Sequence, residues 1–193
     1  MSISAIILAG GRATRMDGVD KGLVNLQGIP LIQHVINRIR PQVDEILINA
    51  NRETARYQSF GYPVLADELS DFPGPLAGLS LGLTHAKYEY LLAIPCDSPL
   101  LPINLVSGLM AQLINTNADI AVASSHDKIH PVFCLCKKNV LPSLNHYLAQ
   151  GERRVSAWQK KQAYTEVVFN DDTAFINLNT LEDVASLEAM LNN

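Results

Sequence analysis

Cysteine and aromatic residues are scarce in this 193-residue chain: Phe, Tyr and Trp make up 6%, tryptophan occurs once, and there are three cysteines. Cys96, Cys134 and Cys136 form no even disulfide framework, which suits a reducing compartment. A strong excess of one charge is also missing. Fifteen Lys and Arg face nineteen Asp and Glu, a net charge of -4, and the basic residues are scattered, so a nucleic-acid footprint has no support. No apolar run approaches the ~18 residues of a membrane helix. The opening MSISAIILAGG has neither the basic region nor the apolar length of a secretory signal. The expectation is a cytoplasmic protein with no membrane partner and no nucleic-acid partner.

Several catalytic signatures are missing too. There is no Walker A loop, no G-x-G-x-x-G fingerprint, no H-E-x-x-H and no nucleophile elbow. Covalent catalysis by a side chain of the protein therefore has little support, and a second substrate is expected to supply the nucleophile. Cys134 and Cys136 lack a second ligand pair and sit in an alternating run, so they read as two cysteines on one face of a strand rather than a metal site.

What the chain does contain is apolar periodicity: 48% of its residues are hydrophobic, enough for one domain, residues 1–193, with six or seven strands and helices between them. Ile3 to Ile7 reads as a first buried strand. Pro30 marks the natural first position of a helix through Leu31, Val35 and Ile39 that stops at Pro41. Strands follow at 45–50 and 63–66, a short polar helix at 53–60, and a helix through Leu76, Leu79 and Leu83 pre-set by Pro75. Gly78 and Gly82 each weaken that helix by roughly 1 kcal/mol relative to Ala, which suits either tight packing on the sheet or close approach to a ligand.

Beyond this point Tyr90 to Ile94 predicts a buried strand, 103–115 a helix and 119–123 a strand. SSHDKIHPVFCLC reads as an exposed loop running into another strand. Residues 138–150 form a helix capped by Gly151, 165–169 a strand and FINLN a short strand. Thr180 caps a last helix with Glu182 and Asp183 in its first turn. Strand-helix alternation early and mixed elements late predict an α/β sandwich with a mainly parallel sheet and late antiparallel additions.

Chemistry concentrates at strand ends. Leu8 to Lys21, LAGGRATRMDGVDK, follows the first strand. Gly10 and Gly11 let backbone N–H groups approach a phosphate, and Arg12, Arg15 and Lys21 add charge against it. In an open parallel sheet the ligand lies outside the carboxyl ends of the strands, where Asn49, Asp67 and Asp97 also fall. Glycines and cations suit a triphosphate, Asn and Asp suit a base or ribose, and Asp97 suits Mg²⁺. His130 is open between a proton carrier, a wall of a second pocket and a loop residue with neither role. Arg153 and Arg154 read equally as a holder for a second phosphate or as a solvated helix end. Trp158 is expected to pack under the GERRV loop.

LAGGRATRMDGVDK, ADELSDFPGPLAGL, PCDSPLLP, HPVFCL, GERRV and FINLNT occur in this order over essentially the full length. Together they resemble the molybdenum cofactor guanylyltransferase family, a branch of the Rossmann-like nucleotidyltransferases. The resemblance implies a Rossmann-like three-layer α/β/α sandwich with a predominantly parallel mixed sheet. Its N-terminal half would bind GTP and its C-terminal half would face the pterin substrate. The implied reaction transfers GMP from Mg-GTP to the terminal phosphate of molybdenum-molybdopterin, with pyrophosphate released. Leu8, Ala9, Gly10, Lys21, Asn49, Asp67 and Asp97 match the family's GTP contacts, Asp97 its Mg²⁺ ligand, and Arg15 a basic loop residue acting on the phosphates. Gly11 and Gly78 join them as candidate nucleotide-site glycines.

Asn177 and Asn179 match positions near the family's pterin pocket. Implied partners are the two substrates and transient contacts with cofactor-insertion proteins or apo-molybdoenzymes, for a protein expected to be a monomer. PGPLAG and LAGG in place of LAAG favour guanine over cytosine. The family usually has glycine where Asp17 stands, and Asp17 is expected to point to solvent. Two other readings remain open: a nucleotidyltransferase using CTP or a sugar 1-phosphate, and a non-catalytic GTP-binding carrier of the cofactor.

Overall fold

The computed structural model describes residues 1–10, 20–67, 74–126 and 128–192. Gly11, Arg12, Arg15 and Asp17, together with the 68–73 stretch, lie outside the described residues, and so do the expectations that fall on them.

The chain begins with β1 (Ile3–Leu8), followed by a small hairpin of β2 (Asn25–Leu26) and β3 (Ile29–Pro30). Next come α1 (Leu31–Ile39), β4 (Glu45–Asn49), α2 (Thr54–Gln58), β5 (Val64–Leu65), α3 (Pro75–His85) and β6 (Tyr90–Pro95). The second half holds α4 (Leu105–Asn115), β7 (Ile120–Ser125), β8 (Lys128–Lys137), α5 (Leu141–Ala149), α6 (Val155–Gln159), β9 (Tyr164–Val168) and α7 (Leu181–Leu191). Seven strands form one sheet in the order β5-β4-β1-β6-β8-β7-β9. Every pairing is parallel except those of β8, which runs antiparallel to both β6 and β7. The expected fold class, mainly parallel with a late antiparallel addition, is the one observed.

Alternation along the central strands builds two cores, one on each face. Ala5, Ile7, Leu92, Ile94, Ala121 and Leu135 face α1 and α4. Ile6, Leu91, Ala93, Val122, Cys134 and Cys136 face α3, α5 and Trp158. A sheet covered on both sides needs apolar residues at every position of its middle strands, which accounts for the unbroken IILA and LLAI runs. The two cysteines share one face, their sulfurs 3.9 Å apart, and both are buried. A third, smaller core joins the β2–β3 hairpin to α7 through Val24, Leu26, Leu178, Val184 and Leu187.

Three expectations need correction. FINLN forms no strand: Thr173–Phe175 is a turn of 3-10 helix and 176–179 is irregular. Ser124 and Ser125 belong to β7 rather than to a loop, because their hydroxyls find partners at the Val167 carbonyl and His130. Pro30 ends β3 with extended backbone, and α1 starts at Leu31. The Gly151 cap holds, with φ of 82° just past α5. So does the Thr180 cap, as a full capping box with Asp183. Trp158 is fully buried in the core that includes Val155, as expected of a residue under the GERRV segment. Among the described residues no helix is long and apolar enough to cross a membrane.

A β-bulge separates the two halves of the β7–β8 pairing: Val122 faces Cys134, but the next residue, Ala123, faces His130. Pro131, Val132 and Phe133 are left over at this point. A proline that cannot donate to the ladder is tolerated at such a bulge.

Gly82 lets α3 pack tightly on the middle of the sheet. A Cβ there would come within 2.9 Å of Ile6 Cδ1 and of Leu91 Cδ2, both fully buried. Gly82→Val is therefore expected to lower stability by about 1–3 kcal/mol through overpacking, seen as a melting temperature lower by several degrees. An unchanged melting temperature would show that α3 can withdraw from the sheet without cost.

Candidate active site

Three parallel strands, β4, β1 and β6, end side by side, with Leu8 in register with Asn49 on one side and Pro95 on the other. The ladder continues one step beyond the strands: Ala9 N donates to the Asn49 carbonyl at 2.8 Å and Cys96 N to the Leu8 carbonyl at 3.2 Å. A cleft of about 290 Å³ opens over these ends. Leu8, Ala9, Gly10, Lys21, Asn49, Asp67 and Asp97 line it, as do Asn177 and Asn179 from the segment before α7. Expected site residues drawn from six separate places in the chain thus converge on one cavity. Gly11 and Arg15 lie outside the described residues.

Gly78 packs behind the cleft wall. A Cβ on it would sit 2.5 Å from both Asn49 Oδ1 and Leu8 Cδ2, so the glycine exists to let the buried Asn49 side chain fit. A Cβ on Gly10 would likewise stand 3.0 Å from the same Oδ1. Asn49 Nδ2 donates to the Leu65 carbonyl at 3.3 Å and to Asp67 Oδ1 at 3.0 Å.

Lys21 is the centre of the other wall. Its ammonium lies 3.2 Å from Asp97 Oδ2 and donates to Asn179 Oδ1 at 2.7 Å. Asp97 is 8% exposed, and burial raises its carboxyl above the ordinary value of 3.8 while the Lys21 charge pulls it back. The irregular 176–179 segment is sewn to the end of β6: Leu178 N donates to the Asp97 carbonyl at 2.9 Å and Ser98 Oγ to Asn177 Oδ1 at 2.6 Å. Asp183, the capping-box carboxylate of α7, also accepts from Asn179 N at 2.8 Å. Helix capping and site geometry here share one side chain.

Sequence reasoning missed Asp20, Tyr57 and Ser98. Asp20 is buried on the cleft and accepts from the Tyr57 hydroxyl at 2.5 Å. Burial raises the Asp20 carboxyl and this hydrogen bond opposes the rise. Tyr57 is fully buried. It is the one buried position of a helix that is otherwise exposed, a signal visible in sequence only once α2 is known to cover the site.

A second, larger cavity of about 720 Å³ adjoins the first, and Val132, Asn177 and Asn179 line both. The bulge in β8 is what brings Val132 to this shared wall. Its far side carries Lys128, a His126–Asp172 contact of 2.8 Å, and His130. His130 is therefore a wall of a second pocket: its ring stacks on Phe175 with centroids 4.4 Å apart, and Nε2 lies 2.8 Å from Ser125 Oγ. Arg153 Nη1 donates to the Leu148 and Glu152 carbonyls, closing the end of α5. Among the described residues both cavities are lined without Arg153 or Arg154.

These strand ends are matched by known proteins. The MobA-like NTP transferase domain matches residues 5–165. A molybdenum cofactor guanylyltransferase of Polynucleobacter asymbioticus is 47% identical over 194 residues, 98% of either chain. One of Shewanella putrefaciens is 49% identical, over 95% of this chain and 94% of that one. This chain belongs to the molybdenum cofactor guanylyltransferases. The family fold extends further: the structure of molybdopterin-guanine dinucleotide biosynthesis protein A from Archaeoglobus fulgidus superposes with a TM-score of 0.81 at 21% identity, covering 98% of each chain.

Two outcomes follow from this geometry in the guanylyltransferase chain. Gly78→Ala pushes Asn49 out of place, so GTP affinity is expected to fall about tenfold or more, by loss of roughly one to two hydrogen bonds at the site. Calorimetric titration checks this, and unchanged affinity would place Asn49 outside the nucleotide site. The second outcome concerns pH. Burial, then the Lys128 charge, lowers His130 below its ordinary 6.5. The unfolded chain therefore binds more protons between the lowered value and 6.5, so this contribution is complete above 6.5 and lost as the pH falls through that window. Melting curves between about pH 5 and 8 should fall less steeply toward acid in His130→Gln than in the parent. Parallel curves would contradict the assignment.

Proposed function

We propose that this chain transfers GMP from Mg-GTP to the terminal phosphate of molybdenum-molybdopterin, with release of pyrophosphate. The observation that carries the reading is the wall shared by two cavities. The smaller is lined by the residues expected to contact the nucleotide, the larger has room for a second substrate, and Asn177 and Asn179 line both, with Asn179 on Lys21. A phosphate oxygen of the second substrate would attack the α-phosphorus of GTP. One P–O bond forms there, the bond from that phosphorus to the bridging oxygen of the β-phosphate breaks, and pyrophosphate departs with the electron pair.

In this reading the protein positions groups and neutralises charge. Lys21 meets the phosphates, Gly10 offers backbone N–H, and Arg15 adds charge from the loop. Asp97 would hold the magnesium ion. Among the described residues no group of three or more His, Cys, Asp or Glu could hold a metal alone. A single buried carboxylate fits an ion that brings the rest of its shell from substrate phosphates and water, as Mg²⁺ does. Bound there, the ion supplies positive charge to the phosphate oxygens. Lys128 gives the larger cavity a cationic group suited to a phosphate-bearing pterin.

Melting curves with GTP, CTP, ATP and UTP, each with and without Mg²⁺, test the nucleotide. GTP at about 100 times its dissociation constant adds about 2.7 kcal/mol, or about 5–10 °C for a domain of this size. Selective stabilisation by CTP would overturn the guanine assignment. Pyrophosphate release from Mg-GTP and molybdopterin is expected in the parent and lost in Asp97→Ala. GTP binding without any pyrophosphate would identify a carrier, and undiminished release in the variant would remove Asp97 as metal ligand.

A further inference from the structure

The carboxylate that ends β5 is held in an unusual way. Asp67 has two oxygens, and each accepts one amide proton from a different asparagine: Oδ1 from Asn49 at 3.0 Å, Oδ2 from Asn51 at 2.8 Å. Asn51 also accepts, through Oδ1, from the Asp67 backbone N–H at 2.7 Å. One asparagine thus grips the same residue at backbone and side chain, which fixes the direction of its carboxylate. A carboxylate offers about four lone-pair positions. Among the described residues the two asparagines occupy one on each oxygen and leave one on each oxygen, side by side, on a residue that lines the nucleotide cleft.

The clamp is built in from behind. Asn49 is 3% exposed, and the glycines at 10 and 78 make the room its side chain occupies. A Cβ on Gly10 would also stand 3.2 Å from Asn51 Nδ2. The glycine that starts the phosphate loop therefore makes space for both asparagines as well.

We propose that Asn51 is a positioning residue for base selection: it holds the Asp67 carboxylate as a fixed pair of acceptors that takes the N1–H and 2-amino donors of guanine. This rests on the guanylyl-transfer reading above. Adenine would set its N1 lone pair against the carboxylate, and cytosine its N3 lone pair, an unpaired and repulsive arrangement. Hypoxanthine keeps the N1–H but lacks the 2-amino group, so it tests the second acceptor alone. Without Asn51 the half-buried carboxylate can rotate and meet either purine with one oxygen.

Calorimetric dissociation constants of the full chain for Mg-GTP and Mg-ITP test the proposal. The parent is expected to prefer GTP by about tenfold or more, as for one hydrogen bond to a charged acceptor. In Asn51→Ala that preference should shrink to about threefold or less, mostly through weaker GTP binding. The melting temperature of the unliganded protein should stay put, because Asn51 is exposed. Asn51→Asp, which sets a second negative charge against Asp67, should lose the preference as well. A variant pair that weakens both nucleotides by the same factor, or neither, would overturn the proposal while leaving guanylyl transfer standing. A parent that does not distinguish GTP from ITP, or an Asp67→Ala variant that still does, would remove the guanine role of Asp67 and the clamp with it.

Discussion

The contact between the Lys21 ammonium, the Asp97 carboxylate and the Asn179 amide holds three distant parts of the chain at one point. Lys21 begins a short 3-10 turn before the β2–β3 hairpin, Asp97 follows the central strand β6, and Asn179 precedes α7. Neither charge is fully solvated: the side chains are 22% and 11% exposed. Breaking such a pair leaves an uncompensated partner, which makes the geometry self-enforcing even where the net stabilisation is small. A substrate phosphate and its metal ion would find the cation and the anion already placed, so little reorganisation remains for the reaction.

The antiparallel β8 is what turns one cleft into two. A fully parallel sheet would continue the row of strand ends, all facing the same crevice. With β8 reversed and bulged at residues 131–133, Val132 rises between the cavities instead. The segment before α7 then lies across the break, pinned by Leu178 N on the Asp97 carbonyl and by Ser98 on Asn177. The boundary between the two cavities is thereby fixed by one backbone and one side-chain hydrogen bond.

Much of this was legible before any coordinates. The apolar runs ending in AGG, Asn49 and CD place strand ends, and topology alone then gathers Gly10, Asn49, Asp67 and Asp97, because strands buried on both faces leave polar residues only at their tips. The Ile176 to Asn179 segment was misread for a physical reason. Its alternation of apolar and polar residues comes from a coil with two different environments: Leu178 is buried against α7 while Asn177 and Asn179 face the cavities. The same period of two describes a strand, and nothing local separates the cases. Ser124 and Ser125 were misread in the opposite sense. Small hydroxyls can be buried in a strand when a carbonyl or an imidazole accepts or donates to them, and those partners, Val167 and His130, are not visible from the serines themselves. Tyr57 escaped because its partner, Asp20, lies 37 residues away.

The capping box of α7 sits at residues 180–183, almost at the end of the chain, yet it orients the asparagine that reaches Lys21 from 158 residues away. During synthesis Lys21 and all of β1, β4 and β6 emerge long before that asparagine does. A nascent chain can thus pair these strands and still lack the third partner of its central contact until Asn179 leaves the ribosome. The segment before α7 completes a cleft begun by β1, and a chain broken off before residue 177 would carry Lys21 and Asp97 without the asparagines that line the cleft beside them.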